Sequence, residues 1–169
     1  MAKKIDLGCG KNIKEGFVGV DKILGIDIEK GIPFADESIC EIYSFHFLEH
    51  VGDLVFVFKE MHRVLKPKSI VEIVVPHFSN IGAFHWTHQH FFNIRGFDFI
   101  EDQHSHHFYC PDVSFHILNR NIEFSEKRKY SFNLLEKIIN KNAFTARIYE
   151  QYFCSWLRAY QIRIIMQKD

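Results

Sequence analysis

The stretch KKIDLGCGKN at residues 3–12 constrains this chain more than any other. Ile5 and Leu7 suit a buried strand, and Asp6 sits between them where a core residue would be expected. Gly8 and Gly10 follow at once; with no Cβ atoms, they let the backbone turn sharply and approach a ligand closely. A glycine turn at the carboxyl end of a parallel strand is the usual seat of a nucleotide-like molecule.

Further strand-like runs recur at residues 17–21, 39–44 and 69–75. The last, SIVEIVV, is β-branched and nearly all apolar, as the middle of a sheet covered on both faces requires. Between the last two runs lies an amphipathic helix, with Leu54, Val57, Phe58, Met61 and Leu65 at helical spacing and Lys59, Glu60 and Arg63 opposite. Asp53 is placed to cap its start, and Pro67 follows its end. Strand, helix, strand in that order implies a right-handed parallel crossover. Residues 115–124 (FHILNRNIEF) read as a later strand, 134–140 and 143–157 as two helices, and 159–166 (AYQIRIIM) as a final strand.

With 169 residues, the chain is long enough for one domain that buries about two-thirds of its unfolded surface. Twenty-one basic residues balance twenty-one acidic ones, so no global field points to nucleic acid or an anionic membrane. The four cysteines form no CxxC pair, which argues against a disulfide framework or zinc ribbon and for a reducing cytoplasm. No run approaches the ~20 apolar residues of a membrane span, and no signal-peptide core opens the chain.

Two dinucleotide-type readings compete at Gly8 and Gly10. A nicotinamide fingerprint needs a third glycine where this chain has Ile13, which disfavours an NAD enzyme. The alternative is S-adenosylmethionine (SAM), whose sulfonium, ribose and adenine need a close turn, an acid for the ribose hydroxyls and a polar group for the adenine amine. In five ordered segments the chain resembles the class I SAM-dependent methyltransferases, particularly the type-11 branch. These are IDLGCGK at 5–11, GVD at 19–21, DIEKGIPFADESICEIYS at 27–44, FHFLEHV at 45–51 and EMHRVLKP at 60–67.

The resemblance implies an α/β fold: a Rossmann-like, mostly parallel sheet with helices on both faces and an antiparallel final strand. It also implies site roles. Gly8, Cys9 and Gly10 would pass along the methionine end of SAM, with Asp6 steadying that loop or meeting the ammonium group. Asp21 would hold the ribose, and Asp27 with the Ile28 backbone the adenine. Ser44, Phe45 and His46 would line the methyl-transfer face.

The chain departs from the family in its early spacing, because about ten residues separate Gly10 from Asp21 and six positions separate Asp21 from Asp27, each too few for a helical crossover of a dozen or more residues. The helices after the first two strands are therefore expected to be reduced, with the third strand at most a scrap near Gly25. One sheet face is left thinly covered, for the C-terminal helices or a second copy of the chain to shield. The family's glycine pair after the long helix is replaced by Lys68 and Ser69.

Where an acceptor carries a proton, a base of near-neutral pKa helps, and histidine suits. His46 and His77 each follow a strand on the carboxyl edge, which makes His46 the first catalytic candidate and His77 the second. His50 and His62 are read as helix hydrogen-bond formers. The histidines at 85, 88, 90, 104, 106 and 107 tempt a metal reading, yet their spacing matches no recurrent zinc pattern, and no metal site is assigned. Residues 76–110 are read as a lid on the acceptor side of the single domain spanning 1–169, with Phe84, Trp86, Phe91 and Phe92 excluding water. In place of the Pro-Pro signature of DNA-adenine methyltransferases stands Ser44-Phe45-His46-Phe47, so a small-molecule acceptor is expected over nucleic acid. The rival readings are an inactive methyltransferase-like partner subunit and a histidine-metal enzyme.

Overall fold

β1 (Lys3–Leu7) buries Ile5, Asp6 and Leu7 in succession because parallel neighbours flank it on both sides, β2 (Val18–Val20) and β3 (Ile39–Phe45). The computed structural model describes residues 3–101, 112–125 and 133–169. Asp53 caps α1 (Leu54–Val64) by accepting from the Phe56 amide at 2.9 Å, and the helix buries Val57, Phe58, Met61 and Val64. It runs without a loop into β4 (Leu65–Pro76), so Leu65 opens a strand instead of ending the helix. β4 lies parallel to β3.

The remaining elements are β5 (Phe115–Glu123), α2 (Asn133–Ile139), α3 (Ala143–Ile148) continued by a π-helical turn at Tyr149–Phe153, and β6 (Gln161–Lys168). The sheet order is β2-β1-β3-β4-β6-β5, with β6 antiparallel to both of its neighbours. This is the mostly parallel, Rossmann-like sheet with an antiparallel final strand that the sequence implies.

No helix follows β1 or β2. The 3-10 turns Lys22–Leu24 and Ile28–Lys30 are the helical elements of the connection from β2 to β3, and no third strand survives near Gly25. Ile13, Val18, Ile23 and Leu24 are left exposed there. The C-terminal helices do not shield them, contrary to one expectation. α2 packs on β5, at the opposite edge of the sheet from β2. Lys68 takes a left-handed φ of 62°, the conformation that a glycine at this position would adopt freely. Among the described residues, no helix is long and apolar enough to cross a membrane.

Candidate cofactor site

The glycine turn is built as its sequence requires. Gly8 and Gly10 have φ of 70° and 54°, and the Gly8 amide donates to the Val20 carbonyl at 2.9 Å, which ties the turn to β2. Asp21, at the end of β2, accepts from the Gly10 amide at 2.9 Å through one oxygen and from the Ile23 amide at 2.8 Å through the other. A carboxylate has about four lone-pair sites, so two remain for vicinal hydroxyls. Asp6 is buried and accepts from the Lys14 amide at 2.8 Å; burial raises its pKa and that hydrogen bond partly offsets the rise. It steadies the loop. The Cys9 Sγ lies over Gly19, 2.9 Å from where a Cβ would stand.

Asp27 opens the second 3-10 turn, accepting from the Glu29 amide at 3.3 Å and pairing with Lys22 at 3.3 Å. The loop carrying it is clamped to α1. Glu60 accepts from the Ile32 amide at 2.8 Å, while Arg63 donates to Glu60 and to the carbonyls of Ile32 and Phe34, each at 2.9 Å or less. Glu29 closes the other side by accepting from the Gly52 amide at 2.6 Å, which lowers its pKa. Glu60 and Arg63 of EMHRVLKP therefore hold the loop that carries Asp27 in position from a distance.

Asp21, Asp27, Ile28, Phe47, His50 and Val51 line one cavity of about 140 Å³. Small-molecule pockets are usually about 300 Å³ or more. Phe47 accounts for the shortfall. A Cβ on Gly8 would lie 2.2 Å from the Phe47 ring, so the ring rests on the turn where the methionine end of SAM is expected. The acid pair fits the nucleoside half of SAM, while the methionine half fits only once this ring swings off Gly8. Sequence reading passed over Phe47, one residue beyond the segment assigned to the methyl-transfer face. A larger hollow of about 490 Å³ borders β5, far from the glycine turn; its Arg120 is held by Asp98 and Glu101.

At the end of β3, Ser44 is fully buried with no hydrogen-bond partner for its hydroxyl, and Phe45 stacks on His46 at 4.3 Å. His46 adopts a left-handed φ of 50° and stays part-exposed on the carboxyl edge, its Nε2 3.1 Å from Gln161 Oε1. His77 is different. It is wholly enclosed, its Nδ1 accepts from the Ser79 amide at 3.1 Å, and its Nε2 lies 3.1 Å from Glu150. Glu150 also accepts from the Ile94 amide, so His77 fastens the segment after β4 to the C-terminal half. With both ring nitrogens engaged, it has none free for an acceptor's proton.

The aromatic lid also differs from expectation. Phe92 is buried and stacks on Phe97, whereas Phe84, Trp86 and Phe91 are exposed and line none of the cavity over the two aspartates. His50 sits in a 3-10 turn near Thr87, and His62 meets Phe115 edge-on. His104, His106, His107 and Cys110 lie outside the described residues. Glu49 is the second residue that sequence reading missed. It is 1 % exposed, and desolvation raises its pKa to about 7. Its only signal in the sequence is an acid wedged into the apolar run FHFLEHV.

Residues 8–73 match the family model described as a methyltransferase domain of type 11. Over that stretch, which is under half of the chain, the protein is similar to a type-11 methyltransferase domain. No curated protein sequence matches significantly. Among solved structures, an S-adenosylmethionine-dependent methyltransferase from Mesorhizobium loti aligns over 98% of this chain and 90% of its own, at 13% identity and a TM-score of 0.55. One from Archaeoglobus fulgidus aligns over 98% and 86%, at 16% identity and a TM-score of 0.58. The [4+2]-cyclase SpnF aligns over 99% and 74%, at 14% identity and a TM-score of 0.59. At these identities the likeness is one of fold. The chain shares that fold with a protein named for a cyclisation, so the chemistry has to be argued from the site.

Proposed function

We propose that this domain transfers the methyl group of SAM to a small-molecule acceptor. The observation that carries the reading is the convergence of Asp21, Asp27 and Ile28 on one cavity beside the glycine turn. Asp21 takes the ribose hydroxyls, Asp27 and the Ile28 backbone take the adenine, and the Gly8–Cys9–Gly10 backbone takes the methionine end. Bound SAM supplies an electrophilic methyl on sulfur. The protein places the acceptor in line with it, which is much of what such a displacement needs. His46, part-exposed and beside buried Ser44, is the base proposed for an acceptor that carries a proton, and residues 76–110 are proposed to form the acceptor side.

Isothermal titration with S-adenosylhomocysteine is the test. Wild type should bind in the micromolar range, and Asp21→Ala should weaken binding at least about tenfold, or ~1.4 kcal/mol. Phe47→Ala, which uncovers the turn, should tighten it. The ring over Gly8 favours a second reading, a methyltransferase-like subunit that serves a partner without turnover. Absence of binding at millimolar ligand in both wild type and Phe47→Ala would establish that reading and discard the first.

A further inference from the structure

Beside the cofactor cavity, whose lining it shares through His50, one cluster of side chains is set up to hold something that is not protein. Glu49, His50 and His88 each offer a ligand atom, and the three atoms lie within 4.8 Å of one another. The Glu49 carboxylate is almost fully buried and neither of its oxygens has a hydrogen-bond partner, the nearest charged group given being His46, whose Nδ1 lies 3.7 Å from Oε1. A buried carboxylate without a hydrogen bond is costly to keep, so such a group ordinarily faces a cation or a donor.

Each of the two imidazoles has its Nδ1 beside a main-chain carbonyl. His88 Nδ1 lies 2.9 Å from the Ala83 carbonyl. His50 Nδ1 faces Thr87, 3.4 Å from its carbonyl and 3.2 Å from its hydroxyl. Holding Nδ1–H on a backbone carbonyl fixes the tautomer and leaves the Nε2 lone pair free, the second-shell pattern of ligating histidines. The Thr87 hydroxyl also lies 2.9 Å from His85 Nδ1.

The surrounding backbone is already docked. The Glu49 carbonyl accepts from the Gln89 amide at 2.7 Å, Gln89 Nε2 donates to the His50 carbonyl at 3.0 Å, and His90 Nε2 lies 2.8 Å from the Val51 carbonyl. Two segments far apart in sequence are thus held together before any ion arrives. Exposed His50 provides an entry path.

We infer that Glu49, His50 and His88 form a binding site for one divalent zinc-class cation, with a fourth position open to water. Two imidazoles and one carboxylate are a recurrent three-ligand zinc set, and imidazole donors favour late first-row ions over magnesium or calcium. A tetrahedral ion with bonds of ~2.0–2.1 Å holds its ligands about 3.4 Å apart, so the side chains need to close by only about an ångström. The spacing of 85, 88 and 90 hid this site, because two of its three ligands come from the turn after β3.

The test uses untagged full-length protein, stripped with a chelator and titrated with Zn²⁺ alone and with Co²⁺ alone, without SAM. The expected result is one ion per chain, with visible Co²⁺ d–d absorption of a low-coordinate site. His88→Ala and His50→Ala should each weaken Zn²⁺ binding at least tenfold, and His116→Ala, an exposed histidine on β5, should leave it unchanged. Near-UV circular dichroism checks the fold of each variant; part-exposed His88 decides the matter if the other fails to fold. Lack of saturable one-to-one binding, or binding equally strong in His88→Ala, overturns the site. The His88 arm is separate from the SAM reading, because His88 does not line the cofactor cavity.

Discussion

The contact between Gly8 and Phe47 gives a thermodynamic cycle that tests both the turn and its cover. Gly8→Ala introduces two costs. Placing alanine at φ 70° costs about 1–2 kcal/mol in the left-handed region. The new Cβ would also stand 2.2 Å from the Phe47 ring and 2.4 Å from the Phe47 Cβ, far inside van der Waals contact, so the whole side chain has to leave. Phe47 is half-buried against the core, and losing that burial costs a further 1–2 kcal/mol or about half of a full phenylalanine. Gly8→Ala should therefore destabilise wild type by about 2–4 kcal/mol, yet by only the backbone cost of about 1–2 kcal/mol in a Phe47→Gly background, which also removes the Phe47 Cβ that would stand 2.4 Å away. The coupling is about 1–2 kcal/mol, well outside the ~0.5 kcal/mol seen between independent sites. Urea denaturation of the four proteins, followed by far-UV circular dichroism, measures it. Additive effects would mean that Phe47 does not rest on the turn, and the argument from the shrunken cavity would fall with it.

His46→Gln should lower the single-turnover methyl-transfer rate by about 10²–10⁴ if the ring acts as base, with S-adenosylhomocysteine affinity within twofold. An unchanged rate excludes that role. His77→Ala should cost roughly 2–4 kcal/mol in urea denaturation, because it strands Glu150 and the Ser79 amide inside the protein; a cost below about 0.5 kcal/mol would refute the fastening role. Lys68→Gly should raise stability by about 1 kcal/mol, since only the lysine strains at φ 62°. A loss of stability there would mean that the left-handed conformation is not the one adopted in solution.

Much of the frame was legible because its signals are local. The apolar run at 69–75 could only be a covered strand, and Asp53 with the spacing of Leu54, Val57, Phe58 and Met61 marked α1 from its first residue. The missing helices could be read from the distance between Gly10 and Asp21 alone. Side-chain partners across the fold were not legible. Nothing local tells that His77 meets Glu150, or that Phe47 turns back onto Gly8, because each contact depends on how two distant segments dock. Glu49 and His88 belong to the same class: the turn after β3 and the stretch at 85–90 reveal a shared chemistry only once the Gln89 hydrogen bonds bring them together.

The position of β6 between β4 and β5 has a consequence for assembly on the ribosome. β5 emerges first yet finds its neighbour in the sheet only when residues 161–168 have been made. Until then the parallel half, β1 to β4, must hold together with one flank of β4 unpaired. A nascent chain paused between the two strands would present that bare flank as a template for other chains, so translation speed across this interval bears directly on aggregation.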